Sequence, residues 1–313
     1  MTRAFVFPGQ GSQAVGMGRD LADAFSVARE VFEEVDDALG ENLSRLMFEG
    51  PEDELTLTEN AQPALMAVSM AVIRVLERQG GLDIGQGCAF VAGHSLGEYS
   101  ALAATSTFTL SDAAKVLKAR GRAMQAAVPV GVGAMAAVLG LDIEAAAEIA
   151  EAAAQGEVCA PANDNAPGQV VISGDKAAVE RAIALAADKG AKRSILLPVS
   201  APFHCALMQP AAEAMAGVLA DIQLQAPSVP LVANVTASAV TEPDEIRDLL
   251  VKQVTGMVRW REGVLYMKEN GVEELIELGA GKVLTGLARR IDRDLKARAL
   301  GAPADIDEFM KDV

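Results

Sequence analysis

The sequence predicts an α/β fold in which a smaller subdomain is inserted into a larger one. Just over half of the 313 residues are hydrophobic, at 51%, which is enough to bury a large core. Short apolar runs that predict strands alternate with longer helical patterns along most of the chain. Between residues 133 and 198 the order becomes β-α-β-β-α-β, which is the order of a split βαβ unit and indicates a subdomain of its own.

The larger part is predicted to hold four short strands, each an apolar run: 4–7, 88–92, 229–235 and 275–278. Its helices are predicted where apolar residues recur at helical spacing: 21–39, 64–76, 98–104, 111–128 and 203–220. Gly40 ends the first of these helices, Asn60 is expected to cap the second, and Ser111 is expected to cap the fourth. This alternation is typical of an α/β fold.

The smaller part is predicted to hold four strands with two helices between them. The strands are 134–139, 158–162, 169–173 and 194–197, and the helices end at Ala154 and Lys189. We therefore expect three segments: residues 1–128 with 199–300 as a large catalytic subdomain, residues 129–198 as a small subdomain, and a C-terminal tail at 301–313.

Residues 93–97, GHSLG, have the pattern of a turn that exposes a nucleophile. Ser95 stands at its centre, and Gly93 and Gly97 leave room for neighbouring chain to pass beneath a sharp bend. The helix that follows directs partial positive charge and free N–H groups toward Ser95, which suits an oxyanion on an attacked carbonyl. An ordinary glycine-bounded turn with an idle serine gives the same short pattern, and we favour the nucleophile.

A serine nucleophile needs a base, and the chain has two histidines. His94 is adjacent to Ser95 on the turn, where successive side chains diverge, so we favour His204 as the general base. Cys205 is expected to fill the core rather than act as a second nucleophile. The imidazole is oriented either by an aspartate or by a backbone carbonyl. The aspartates available between the serine and the histidine are all explained by helix starts or turns: Asp112, Asp142, Asp164 and Asp175.

Arg120 lies on the wrong face of its predicted helix. The polar stripe of that helix is formed by other residues: Lys115, Lys118, Arg122 and Gln125. Arg120 instead shares the apolar side with Met124, and an arginine directed inward needs a charge partner. The partner is either a buried acid of the protein or a carboxylate on the substrate, held by the guanidinium fork.

The net charge of −16 argues against nucleic acid or an anionic membrane as partners. An acidic partner would need a local basic patch, and residues 289–298, predicted as helical, are the best candidate, although a solvated surface with its own ion pairs is an equal alternative. The three cysteines, without a CxxC pair, indicate neither a disulfide framework nor a zinc site. No apolar run is long enough for a membrane span or a signal peptide, so we expect a cytoplasmic protein. We also expect it to be a monomer.

Taken together, six blocks in this order resemble the malonyl-CoA:acyl carrier protein transacylase family. They are FPGQGSQ at 7–13, GHSLGE at 93–98, RG at 120–121, FH at 203–204, Gln253 followed by VRW at 258–260, and ELGAGKVL at 277–284. The resemblance implies transfer of malonyl from coenzyme A to the phosphopantetheine thiol of acyl carrier protein for fatty acid synthesis, without a cofactor. It also implies an α/β-hydrolase-like core with an inserted ferredoxin-like subdomain.

By this resemblance, Ser95 carries the malonyl ester and His204 serves as base and then as acid. Arg120 grips the malonyl carboxylate, and Met124 is expected beside it in the substrate site. The backbone carbonyl of Gln253 would orient His204.

The resemblance also places the oxyanion hole at the backbone N–H groups of Gln10 and Leu96. Two related activities stay open. Ser200 stands where some polyketide acyltransferases carry a second histidine, and a serine thioesterase or other hydrolase would share the nucleophile and base without needing Arg120.

Overall fold

The computed structural model of the chain describes residues 1–311. The ten strands of this part are β1 (Arg3–Phe7), β2 (Phe90–Gly93), β3 (Gly133–Leu139), β4 (Cys159–Ala166), β5 (Gln169–Asp175), β6 (Arg193–Leu196), β7 (Leu231–Val232), β8 (Ala239–Val240), β9 (Glu274–Leu278) and β10 (Lys296–Leu300). Its α-helices are α1 (Arg19–Ala24), α2 (Ser26–Leu39), α3 (Leu43–Glu49), α4 (Glu52–Thr56), α5 (Thr58–Arg78), α6 (Ile84–Gly87), α7 (Gly97–Ala104), α8 (Leu110–Ala127), α9 (Ile143–Ala154), α10 (Lys176–Asp188), α11 (Gln209–Ala220), α12 (Pro243–Thr255), α13 (Trp260–Glu269), α14 (Val283–Ile291) and α15 (Pro303–Phe309).

The larger sheet has the strand order β10-β9-β1-β2-β7-β8, and every neighbouring pair is parallel except β7 with β8. Successive side chains of a strand point to opposite faces of a sheet. In β1, Phe5 and Phe7 join the main core with α5 and α8, whereas Ala4 and Val6 join a second core with α13 and α14. Both faces of the sheet are therefore covered, which explains why its strands are apolar runs rather than alternating ones. The predicted α/β class is confirmed.

The smaller sheet is antiparallel, in the order β4-β5-β3-β6. Helices α9 and α10 pack on it through small and branched apolar side chains such as Ile149 and Val179, which join Ile172 of β5 in one core. The chain order of this part is β3-α9-β4-β5-α10-β6, as the sequence predicted. Buried side chains of this sheet and of its two helices form a hydrophobic core that is separate from the main core.

Three helix boundaries differ from the prediction. The expected helix 21–39 is broken at Phe25, which has the extended angles φ −130° and ψ 116°. Asn60 is not a cap, because α5 begins two residues earlier and the Asn60 amide instead donates to the carbonyl of Glu54 at 2.9 Å. Thr109, rather than Ser111, caps α8, with its hydroxyl accepting from the Asp112 N–H at 3.0 Å.

Three further segments contain less regular structure than predicted. The expected helix 203–220 begins as a helix only at Gln209, after a short 3₁₀ turn at Ala206–Met208. The expected strand 229–235 is reduced to the two residues of β7. The basic segment 289–298 is not one helix, since α14 ends at Ile291 and β10 begins at Lys296.

The C-terminal segment folds back as α15 onto the main core. Ile306 and Phe309 are fully buried there, and the guanidinium groups of Arg3 and Arg298 lie over the Phe309 ring at 5.2 and 4.7 Å from its centre. Helix α15 thus packs beside β10, the edge strand of the larger sheet. Within residues 1–311, no helix combines the length and the apolar character that crossing a membrane requires.

Candidate active site

Ser95 occupies a sharp turn between β2 and α7. Its φ of +53° lies in the left-handed region, which is unfavourable for a residue with a side chain. The two glycines around it are required by contact: a Cβ on Gly93 would lie 1.9 Å from the Gly97 carbonyl carbon, and one on Gly97 would lie 2.2 Å from the Phe7 carbonyl oxygen. The turn is therefore pressed against both itself and the end of β1, which holds the serine in its strained position.

The Ser95 hydroxyl is bonded to His204, as the sequence predicted, with 2.8 Å between Oγ and Nε2. His204 Nδ1 lies 2.9 Å from the backbone carbonyl of Gln253 and 3.1 Å from that of Gly256. A carbonyl oxygen can only accept, so Nδ1 carries the proton and Nε2 of the neutral ring is left as an acceptor. The tautomer is thus the one that can take the serine proton.

Burial keeps the imidazole neutral. His204 is 4% exposed, and desolvation, assisted by the positive charge of Arg120, lowers its pKa to about 3. Its φ of +58° places it in an irregular turn before the 3₁₀ segment, rather than on a helix. At neutral pH the group is therefore an unprotonated base.

The other groups weighed as base, orienting acid or nucleophile are engaged elsewhere. His94 Nε2 lies 2.8 Å from Asn165 Oδ1, across the cleft in β4. Of the four aspartates, Asp112 and Asp142 bind at helix starts, Asp164 pairs with Arg261, and Asp175 accepts from the Val158 N–H. The Cys205 thiol is buried, donates to the Pro202 carbonyl, and has a pKa raised by burial. The imidazole of His204 is therefore oriented by the backbone carbonyls of Gln253 and Gly256 and not by an aspartate.

Arg120 is 1% exposed and points at the nucleophile. Its Nη2 donates to Ser95 Oγ at 3.2 Å and to Gln253 Oε1 at 2.8 Å, and its Nη1 donates to Gln62 Oε1 at 2.9 Å. It forms no ion pair with a carboxylate of residues 1–311, and its Nε has no hydrogen-bond partner there. Two partners were considered for Arg120, a buried acid of the protein and a substrate carboxylate. No acid of residues 1–311 forms an ion pair with it.

A buried polar network lies behind the turn. Asn234 Oδ1 accepts from the Ser95 N–H at 2.8 Å, and its Nδ2 donates to the Gly93 carbonyl at 2.7 Å. Gln253 Nε2 donates to the Ser95 carbonyl at 2.9 Å and to Glu98 Oε2 at 2.8 Å. Both backbone polar groups of the serine are thus held by side-chain amides, which explains how the strained conformation is retained.

A cavity of about 530 Å³ opens onto the hydroxyl between the two sheets. Its walls include most of the predicted site residues: Gln10, Ser95, Arg120, Met124 and His204. Leu96 is buried directly after the serine, and within the described chain no acceptor receives a hydrogen bond from its backbone N–H or from that of Gln10. This volume and mixed lining are typical of a small-molecule site.

Three residues of the site had no predicted role: Gln62, Glu98 and Asn234. Gln62 is a lone amide on the buried helix α5, and this polar residue in an apolar pattern was the available signal. Glu98 belongs to a recognised block but looked like an ordinary first-turn acid. Asn234 lies 139 residues from the serine that it holds, so only the tertiary structure reveals it.

Known proteins resemble this chain along nearly its whole length. A family profile described as an acyl transferase domain matches residues 4–299. A protein of Escherichia coli strain K12 named malonyl CoA-acyl carrier protein transacylase is 51% identical over 301 residues, with 96% of each chain covered. A crystal structure of an acyl-carrier-protein-S-malonyltransferase from Bartonella henselae has a TM-score of 0.97, 59% identity and 99% coverage of each chain. A malonyl-transacylase in complex with a type II PKS acyl-carrier protein has a TM-score of 0.96, 45% identity and 100% coverage.

Proposed function

The chain belongs to the acyl transferase family, and we propose that it transfers a malonyl group from malonyl-CoA to the phosphopantetheine thiol of acyl carrier protein, which supplies fatty acid synthesis. One observation carries this function: the Ser95 hydroxyl lies 2.8 Å from His204 and 3.2 Å from Arg120. The histidine supplies the base that an acyl-serine requires. The arginine supplies a buried cation for an acyl group that is itself an acid.

In the first half-reaction, Ser95 Oγ attacks the thioester carbonyl while His204 Nε2 takes the hydroxyl proton. The tetrahedral intermediate then collapses, its C–S bond breaks, and the imidazolium returns the proton to the departing coenzyme A sulfur. In the second half-reaction the carrier thiol gives its proton to His204 and attacks the malonyl ester, and Ser95 Oγ leaves with that proton. The carbonyls of Gln253 and Gly256 accept from Nδ1 throughout, so only Nε2 gains and loses the proton.

The oxyanion of each intermediate needs donors fixed in advance. We assign this role to the backbone N–H groups of Gln10, in the loop after β1, and of Leu96, directly before α7, because neither donates to an acceptor within residues 1–311. One such donor typically contributes about 10² to 10³ in rate.

Arg120 selects the acyl group. Acetyl would leave the guanidinium without a charged partner in a buried site, whereas malonyl supplies a carboxylate. Met124, which is 1% exposed and lines the cavity beside it, supplies apolar surface for the acyl chain. Ser200 also lines the cavity, with its hydroxyl donating to Gln125, so the wall here is a small polar group rather than a second histidine.

The proposed organisation is an α/β-hydrolase-like core of residues 1–128 and 199–300 with a ferredoxin-like subdomain at 129–198. The parallel sheet with a serine turn after β2, and the antiparallel order β4-β5-β3-β6 with two helices, support it. We further propose a cytoplasmic monomer that needs no cofactor. Buried free thiols such as Cys88, whose pKa burial raises to about 12, suit a reducing compartment.

The test is covalent labelling followed by transfer. After incubation with radiolabelled malonyl-CoA and digestion, the label should be found on the peptide that contains Ser95, and Ser95→Ala should carry none. Adding acyl carrier protein with its phosphopantetheine arm should move the label to the carrier, and dialysis against EDTA should leave the rate unchanged. Free malonate without a labelled carrier would show a hydrolase instead.

A further inference from the structure

Glu98 is a buried acid behind the reacting hydroxyl, and none of the steps above uses it. It is 1% exposed in the first turn of α7. Its Oε2 accepts from Gln253 Nε2 at 2.8 Å and from the backbone N–H of Asn234 at 3.1 Å. Among the ion pairs of residues 1–311, none includes this carboxylate. A buried carboxylate bonded only to neutral groups is costly, which is reason to look for what it does.

The carboxylate fixes the direction of the Gln253 amide. The Nε2 end of that amide faces acceptors: Glu98 Oε2 at 2.8 Å, the Ser95 carbonyl at 2.9 Å and Asn234 Oδ1 at 3.3 Å. Its Oε1 end faces a donor, Arg120 Nη2, at 2.8 Å. An ionised carboxylate can only accept, so it admits the NH₂ group and excludes the oxygen. A turned amide would present donors to the donors of Arg120.

The same arrangement leaves the charged Arg120 without a directly bonded carboxylate among residues 1–311. Two neutral amide oxygens, from Gln62 and Gln253, hold the guanidinium, and Glu98 stands one amide further back. Its negative charge favours the charged form of Arg120, and the charge of Arg120 in turn favours the ionised form of Glu98. A direct ion pair would occupy the guanidinium edge that a substrate needs, whereas this indirect one leaves it open.

We propose that Glu98 is a positioning residue for acyl selectivity: through the amide of Gln253 it holds Arg120 in the orientation that takes an acyl carboxylate. The inference rests on the proposed malonyl transfer. It assigns Glu98 no contact with substrate and no proton transfer.

The test compares acylation of Ser95 by malonyl-CoA and by acetyl-CoA in rapid-quench experiments on the full chain. For Glu98→Gln, malonyl acylation should fall about tenfold or more, because a hydrogen bond to a charged group is lost and Arg120 is released. Acetyl acylation should fall less than about threefold, because acetyl does not use Arg120. The matched control is Glu277→Gln, another fully buried glutamate, which binds the Leu284 and Thr285 N–H groups at 3.0 and 2.7 Å. Its ratio of malonyl to acetyl rates should stay at the wild-type value.

Equal losses for the two thioesters in Glu98→Gln would overturn the inference, because they would mean that Glu98 only supports the serine turn. No change in either rate would overturn it as well. A wild-type protein that is not malonylated would instead contradict the proposed function.

A second measurement needs no variant. Burial raises the pKa of Glu98 to about 7. The groups that face it are Arg120 from α8, Tyr99 from its own helix, and the neutral amides of Asn234 and Gln253. Arg120 and Tyr99 keep their charge states between about pH 6 and 8, and so does the malonyl carboxyl. The ratio of malonyl to acetyl rates should therefore fall as the pH decreases from about 8 to about 6, and a constant ratio would contradict the inference.

Discussion

The site has two ends that are fixed in different ways. One is the reacting end, Ser95 with His204, and the other is Arg120, which we propose binds the acyl carboxylate and which we call the acid-recognising end. At the reacting end, backbone atoms position the reacting groups. The close contacts of Gly93 and Gly97 hold the turn that exposes Ser95, and two backbone carbonyls orient His204. At the acid-recognising end, Arg120 is held by side-chain amides, Gln62 from α5 and Gln253 from α12. The first end relies on backbone atoms, which have no rotamers to change, and the second depends on side chains of three helices far apart in sequence. We therefore expect the two ends to fail separately.

The largest effect should come from the base. His204→Ala should reduce malonyl transfer by about 10² to 10⁴, because the hydroxyl loses its proton acceptor. The control is His94→Ala, which removes the other histidine and its contact with Asn165 but leaves the pair of Ser95 and His204 in place. Initial rates of transfer to acyl carrier protein give the comparison. A greater loss for His94→Ala than for His204→Ala would show that His204 is not the base.

The acid-recognising end should fail selectively. Arg120→Ala should lose about 100-fold in kcat/KM for malonyl-CoA, because a buried charge pair with the substrate is removed, and should keep or gain activity with acetyl-CoA. Arg122→Ala is the matched control on the same helix, since its 59% exposed side chain binds Glu59 and Glu41 at the surface. Its ratio of the two kcat/KM values should match that of the wild type. An Arg120→Ala protein that lost both substrates equally while remaining folded would break the proposed separation of the two ends.

This difference explains what the sequence could reveal. The nucleophile turn is largely a local pattern, because the contact of Gly93 with Gly97 and the strand and helix propensities act within ten residues, and it was predicted at Ser95. His204 was found by elimination among two histidines, and Arg120 by its apolar helix face. The segment around His204 was wrongly predicted as helix, since the left-handed backbone there is imposed by tertiary contacts and has no local signal.

The amide network was beyond sequence reasoning for a related reason. Gln62, Asn234 and the side chain of Gln253 bind Arg120 or Ser95 across 58 to 158 residues of sequence. An amide gives no periodicity or spacing that distinguishes a buried clamp from a surface residue. Two helix caps were also mispredicted, because Asn60 and Ser111 both suit a cap, whereas the Asn60 amide binds the Glu54 carbonyl and Thr109 caps α8.

The two ends should also respond to acid in opposite directions, which gives the smallest of the expected effects. His204 has a pKa lowered from 6.5 to about 3 by folding, so the stability that it contributes is present above pH 6.5 and is lost as the pH falls. Glu98 has a pKa raised from 4.5 to about 7, so its contribution is present below pH 4.5 and is lost as the pH rises through about 7. Between about pH 7 and 5 the first group destabilises the fold on acidification while the second stabilises it.

Variants that lack one group each separate the two opposing contributions to the pH dependence of the free energy of unfolding. On going from about pH 7 to about 5, His204→Gln should lose less of its free energy of unfolding than the wild type, and Glu98→Gln should lose more. Each difference should reach about 2 kcal/mol at most, since one proton changes the free energy by about 1.4 kcal/mol per pH unit. Urea unfolding at pH values across this range measures all three proteins. Parallel curves would mean that burial shifts neither pKa in the stated direction. Slopes that diverge in opposite directions would show that the same dry interior opposes protonation of His204 and ionisation of Glu98.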